Sequence, residues 1–211
     1  LPIDDRRFER LNPTIAGRPQ LIKGTKQVLF PGMKRLSEHS VIDIKNRSFS
    51  VTASIEVPHE HTTNGVIIAQ GGRFGGWALY FKDGYAAFVY NLLGMTEFTT
   101  TATEAIPAGS HQVRAEFAYD GGGLAKGGDV TLFYDGDPVG AGRIEQTQPL
   151  IFSADETTDI GEDYGLPVSA AYSGISKFTG RIDVVQIDVG DDDHSHLIDP
   201  AEVARVAISR Q

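Results

Sequence analysis

Cysteine is absent from the 211 residues. Its absence excludes disulfides, cysteine-ligated zinc, iron–sulfur clusters and thiol nucleophiles together. It does not name a compartment, because a chain of this length buries about 70% of its unfolded surface and needs no covalent staples. Long apolar runs are missing as well. Stretches such as 66–69 and 85–90 fall far short of the roughly 20 residues a membrane helix requires, so no membrane partner is expected. Positive charge is scarce, with 19 Lys and Arg against 28 Asp and Glu and a formal net charge of −9. No basic stripe interleaved with aromatics appears, so nucleic acid is not an expected partner either.

Several motifs that carry chemistry are also missing. The glycine cluster of residues 121–128 places Lys126 before its last two glycines rather than after them. The alternating residues that follow it are strand chemistry, so no helix N-terminus is available to hold phosphate and the cluster reads as a flexible hairpin tip. No G-x-S-x-G elbow occurs, and Ser37 with His39 are sequence neighbours rather than triad partners. The chain starts at Leu1 with no basic-then-apolar leader, which reads as a piece of something longer or a processed front. The cytoplasm is favoured over the periplasm, with the compartment otherwise open.

What is present is period-two alternation. In residues 48–57, Phe49, Val51, Ala53, Ile55 and Val57 share one face while Ser48, Ser50, Thr52, Ser54 and Glu56 share the other, predicting one core side and one wet side. Trp77, Leu79 and Phe81 lead into Asp83-Gly84, the pair a tight hairpin prefers. The returning strand then puts Ala86, Phe88 and Tyr90 inward, with Tyr85, Ala87, Val89 and Asn91 outward. Residues 111–119 and 130–134 form a second hairpin, followed by an Asp135-Gly136 turn. Residues 181–189 are apolar on both faces, with Ile182 and Val184 on one and Val185, Ile187 and Val189 on the other, predicting a strand in the middle of a sheet or under a covering segment. Asp199, Pro200 and Glu202 mark the start of one short helix. The predicted fold class is therefore all-β, an antiparallel two-sheet jelly-roll sandwich over 21–198, with an irregular N-terminal arm over 1–20 and a C-terminal helix over 199–211.

Candidate sites follow from clusters of polar groups. The acids Glu156, Asp159 and Glu162 are three apart, which on a strand sends the middle one to the opposite side and defeats a paired-carboxylate glycosidase. Asp155, Asp159 and Asp163 are a candidate structural calcium site, the plainer alternative being a solvated acidic loop. The 191–196 tract and the pair His59 and His61 have metal-binding composition but no third ligand. Asn46, Arg47 and Ser48 form a glycosylation sequon only in a secreted eukaryotic setting. Arg73, at the tip of Gly71-Gly72-Arg73-Phe74-Gly75-Gly76, is read either as a cation offered to an anionic group or a partner surface, or as a turn packing on its own sandwich. Tyr80, Tyr85 and Asn91 form an outward face that could stack on and hydrogen-bond a glycan.

Four segments, "NGVIIAQGGRFGGWALYFKDGYAAFVYNLLG", "GSHQVRAEFAYDGGGLAKGGDVTLFYDG", "FSADETTDIGEDYGLPVS" and "FTGRIDVVQIDVG", resemble in order and spacing the C-terminal β-sandwich region of bacterial arylsulfatases of the formylglycine-dependent type. The opening "LPIDDR" and "AGRPQL" are similar to the junction with their catalytic domain, and "DPAEVARVAISRQ" to their C-terminus. More distantly, the hairpins resemble laminin-G and concanavalin-A-like sandwiches. The resemblance implies a non-catalytic domain that supports a sulfatase catalytic domain of the same polypeptide. Calcium and formylglycine would belong to that parent enzyme, and this chain, lacking any S-x-P-x-R, carries no catalytic residue and no cofactor beyond a structural calcium. The alternative is a lectin-like module for a sulfated or neutral glycan. A homo-oligomer is a further partner the reading admits.

Overall fold

The computed structural model describes residues 21–60 and 62–190. The expected arm over 1–20, the helix over 199–211, His61 and the 191–196 tract lie outside the described residues. In chain order the elements are β1 (Lys26–Leu29), a 3₁₀ turn (Glu38–Ser40), β2 (Phe49–Val57), β3 (Gly65–Gly72), β4 (Gly75–Lys82), β5 (Tyr85–Leu92), β6 (Thr96–Thr101), β7 (Gly109–Tyr119), β8 (Gly128–Tyr134), β9 (Asp137–Ile144), β10 (Thr158–Ile160) and β11 (Arg181–Val189). They form two antiparallel sheets, a six-stranded one in the order β1-β11-β2-β7-β8-β9 and a five-stranded one in the order β10-β3-β4-β5-β6. This is the jelly-roll sandwich the alternation predicts. Among the described residues, no helix is long and apolar enough to cross a membrane.

The core lies between the sheets. Phe49 of β2 reaches across to Trp77 and Phe88 on the five-stranded sheet, with ring centroids 6.2 and 6.1 Å away, and packs 5.3 Å from Phe117 on its own sheet. Trp77 and Phe88 stack on neighbouring strands at 6.0 Å. Aromatic pairs at these separations add roughly 0.5–1.5 kcal/mol each to their area burial. Trp77 is fully buried, and its indole Nε1 donates to Gln70 Oε1 (2.8 Å), whose Nε2 in turn donates to Thr158 Oγ1 (3.0 Å). That chain of bonds links β4, β3 and β10 inside the sheet.

Turn chemistry sets the hairpins. Asp83 and Gly84 both take positive φ (53° and 87°), as do Asp135 and Gly136 (51° and 95°), the signature of the primed turn that matches strand twist. The tip between β7 and β8 is tethered rather than loose. Tyr119 Oη donates to Gly123 O, Lys126 N donates to Tyr119 Oη, and Ala125 N donates to Asn46 Oδ1.

Two expectations about faces are corrected. Ser50 and Thr52 are buried, not wet, because β2 is central: Arg114 on β7 and Gln186 on β11 stand directly opposite Thr52 and cover the small side chains between them. In β11, Ile182 joins the core with Val185, Ile187 and Val189, since a bulge between Ile182 and Val184 shifts the phase. The placement of β11 inside a sheet, between β1 and β2, agrees with its two apolar faces.

Replacing Phe49 by Ala removes the ring that joins both sheets. The expected loss is about 3–5 kcal/mol of unfolding free energy, read as a lowered denaturant midpoint at unchanged m-value.

Candidate functional site: a groove on the outer face of the five-stranded sheet

The outer face of β3, β4 and β5 presents small side chains, with Ala69 opposite Ala78, Ala78 opposite Val89 and Tyr80 opposite Ala87. Such a surface admits close approach of another layer, and residues 161–180 supply it. Val168 and Tyr172 of this strap pack on Val66, Ala69, Ala78, Tyr80, Ala87 and Val89 to form a second apolar cluster. Tyr172 meets Tyr80 edge-on at 5.1 Å. Tyr80 and Asn91, expected to face outward and open, are therefore buried beneath the strap. Alternation assigned their side of the sheet correctly but said nothing of what covers it.

The strap is fastened by carboxylates. Asp163 Oδ2 accepts from Val168 N (2.9 Å) and from Tyr172 Oη (2.6 Å). Glu97 of β6 accepts from Ser169 Oγ (2.7 Å) and Ala170 N (3.1 Å). Burial pushes the Asp163 carboxyl above its ordinary range, with the Tyr172 and Val168 donors pulling the other way. Burial also pushes Tyr80 up to about 12 and raises Tyr172, so both phenols stay protonated at neutral pH.

Asp163 and the two other candidate calcium ligands are differently placed. Asp159 sits in β10 and accepts from Arg35 N (2.8 Å), with its carboxyl likewise raised by burial, while Asp155 lies exposed on the preceding loop. Among the described residues, no group of three or more His, Asp or Glu side chains is placed to hold a metal ion. Of the buried acids of this segment, Asp159 and Asp163 serve as acceptors for backbone and phenol donors, and Glu162 pairs with Lys34.

Beside the strap lies a groove of about 500 Å³, lined by Arg73, by the β5–β6 turn through Gly94, Met95, Thr96 and Glu97, and by strap residues 166–170 and 172–174. Asn91 ties its three walls together. Its Nδ2 donates to Arg73 O (3.1 Å) and Val168 O (2.7 Å), and its Oδ1 accepts from Gly94 N (2.8 Å). Gly94 takes φ +70°, and a Cβ there would come within 2.9 Å of Arg73 O, so the turn can close on the Arg73 tip only without a side chain. Of the sequence-predicted residues, Arg73 and Asn91 meet at this groove. Tyr85 is exposed but begins β5, about 20 Å from Asn91 at a strand rise of about 3.3 Å per residue, and Tyr80 lies under the strap. Sequence reasoning missed Met95, Glu97 and Leu166; the run of apolar residues on both faces of β5 was the signal that a covering segment, and hence an edge beside it, existed.

Chemically the groove is amphipathic. Met95 and Leu166 are exposed (73% and 44%), the Arg73 guanidinium is exposed at one wall, and the Glu97 carboxylate is held at another.

No family model matches the chain, and no curated protein matches it in sequence. Solved structures do. A CBM40 of the Ruminococcus gnavus IT-sialidase, bound to α2,3-sialyllactose, aligns at 13% identity and TM-score 0.53 over 87% of this chain and 99% of that one. The LG1–3 region of the laminin α2 chain aligns at 13% identity and TM-score 0.50 over 78% of this chain and 31% of that one. At such identity the likeness is one of fold. This chain shares their jelly-roll fold.

Two outcomes check the site. Asn91→Ala leaves Arg73 O, Val168 O and Gly94 N without their partner, and a loss of about 2–3 kcal/mol is expected in chemical denaturation. For Asp163, the native pKa lies above the unfolded value near 3.9, so the folded state binds more protons between those two values and its stability rises as pH falls through that window. Asp163→Asn abolishes this contribution; wild type should gain stability relative to the variant as pH is lowered from 7 toward 4, in parallel urea titrations.

Proposed function

We propose that this chain is a lectin-like glycan-binding module without catalytic activity of its own, and that its ligand lies in the groove beside the strap. The observation that carries this reading is the groove itself. A preformed cleft pairs exposed apolar side chains with a few fixed polar groups, which suits a sugar ring that has one apolar face and a rim of hydroxyls. The Asn91 clamp fixes the three walls before any ligand arrives, which lowers the ordering cost of binding. The fold shared with a CBM40 whose structure holds sialyllactose supports the same reading.

A second reading follows the sequence resemblance to arylsulfatase C-terminal regions, with the domain covering a catalytic partner. Phe74, Leu93 and Met95 are exposed (69%, 45% and 73%) on the adjoining β3–β4 and β5–β6 turns, and a neighbouring domain could cover them. A formylglycine motif encoded upstream of Leu1 is its direct check.

The glycan reading is tested by titrating the ¹⁵N-labelled chain with neutral and acidic oligosaccharides. Amide shifts confined to Thr96, Leu166 and Gly174, with Gly122 still, are the expected result. No shift with any sugar, or shifts remote from the groove, would overturn it.

A further inference from the structure

Resting on the glycan reading of the same groove, we infer that its ligand is an anionic sugar, and that Arg73 is the residue that selects it. Arg73 is the only cation and Glu97 the only anion among the residues lining the groove. The two are not equivalent. Glu97 already accepts from Ser169 and Ala170, so its oxygens are largely engaged in fastening the wall.

Arg73, in contrast, is exposed and has no described carboxylate in ion-pair range, in a chain whose acids outnumber its bases 28 to 19. Among the other described arginines, Arg143 pairs with Asp120, Asp129 and Glu145, Arg181 with Asp183 and Arg114 with Glu116, while Arg35 lies over the Tyr164 ring; what sets Arg73 apart is that it lines the groove. The Arg73 backbone is meanwhile held in place, since its carbonyl accepts from Asn91 and Gly94 packs against it. A guanidinium anchored at its main chain and open at its head presents a fork of donors matched to a carboxylate or a sulfate ester. Met95 and Leu166, lining the same groove, give the ring an apolar surface to rest on. The shared ligand chemistry is a sugar bearing an oxyanion substituent. Glu97 disfavours that substituent at its own wall, which directs it to the Arg73 side.

The test is calorimetric titration of the whole chain with lactose, α2,3-sialyllactose, 3′-sulfolactose and inorganic sulfate alone, in wild type, Arg73→Ala, Arg73→Lys and, as a control on the other sheet, Arg143→Ala. At least one acidic sugar should bind about tenfold or more tightly than lactose, and which one does so separates carboxylate from sulfate. Arg73→Ala should erase that preference while leaving lactose affinity in place; Arg73→Lys should retain part of it, and Arg143→Ala all of it. Thermal melts matching wild type would establish that the variants fold. Lactose bound as tightly as the acidic sugars, a preference that survives in Arg73→Ala, or sulfate alone bound as well as sulfolactose would overturn the inference and leave glycan binding standing. Silence with every sugar would remove both.

Discussion

A sheet covered on both of its faces is the constraint from which the rest follows. The five-stranded sheet buries Trp77, Leu79, Phe81 and Phe88 against its partner sheet, and buries Ala69, Ala78, Tyr80, Ala87 and Val89 beneath the strap. A second layer can sit that close only because the outward residues are mostly small. Once it does, its polar backbone must be satisfied where water is excluded. Asp163, Glu97 and Asn91 meet that need, and in doing so they place the ends of three loops around one hollow. The groove is a by-product of how the cover is fastened.

The two faces are stabilised by different means. Between the sheets the contacts are aromatic and apolar, centred on Phe49, and they are non-directional apart from ring geometry. On the outer face a smaller apolar cluster is reinforced by hydrogen bonds to charged or amide groups, which fix position more than they add stability. The inner layer thus holds the fold and the outer layer holds the groove.

Much of this was legible in the amino-acid order. Alternation located β2, β4, β5, β7 and β8, the Asp-Gly pairs located two turns, and two apolar faces placed β11 inside a sheet. Arg73 and Asn91, both candidates from sequence pattern, border one hollow. The covering of Tyr80 and Asn91 is not legible in alternation, because period two reports which side a residue takes, not what lies above it. Ala87 and Val89, on the side alternation gives to solvent, repeat the two-faced apolar pattern of β11. The acids of 155–163 suggested cation binding by composition alone. Their use as acceptors for Arg35, Val168 and Tyr172 depends on partners up to 124 positions away, which no local pattern encodes. β10, three residues long, is too short to show a period.

The burial of Trp77 has a practical consequence. It is the sole tryptophan, it is fully shielded, and its ring belongs to the layer between the sheets while the groove opens on the opposite side of β4. Its fluorescence therefore reports whether the sandwich is closed and is blind to what occupies the hollow, so a single chromophore separates loss of structure from loss of recognition in every variant of this chain.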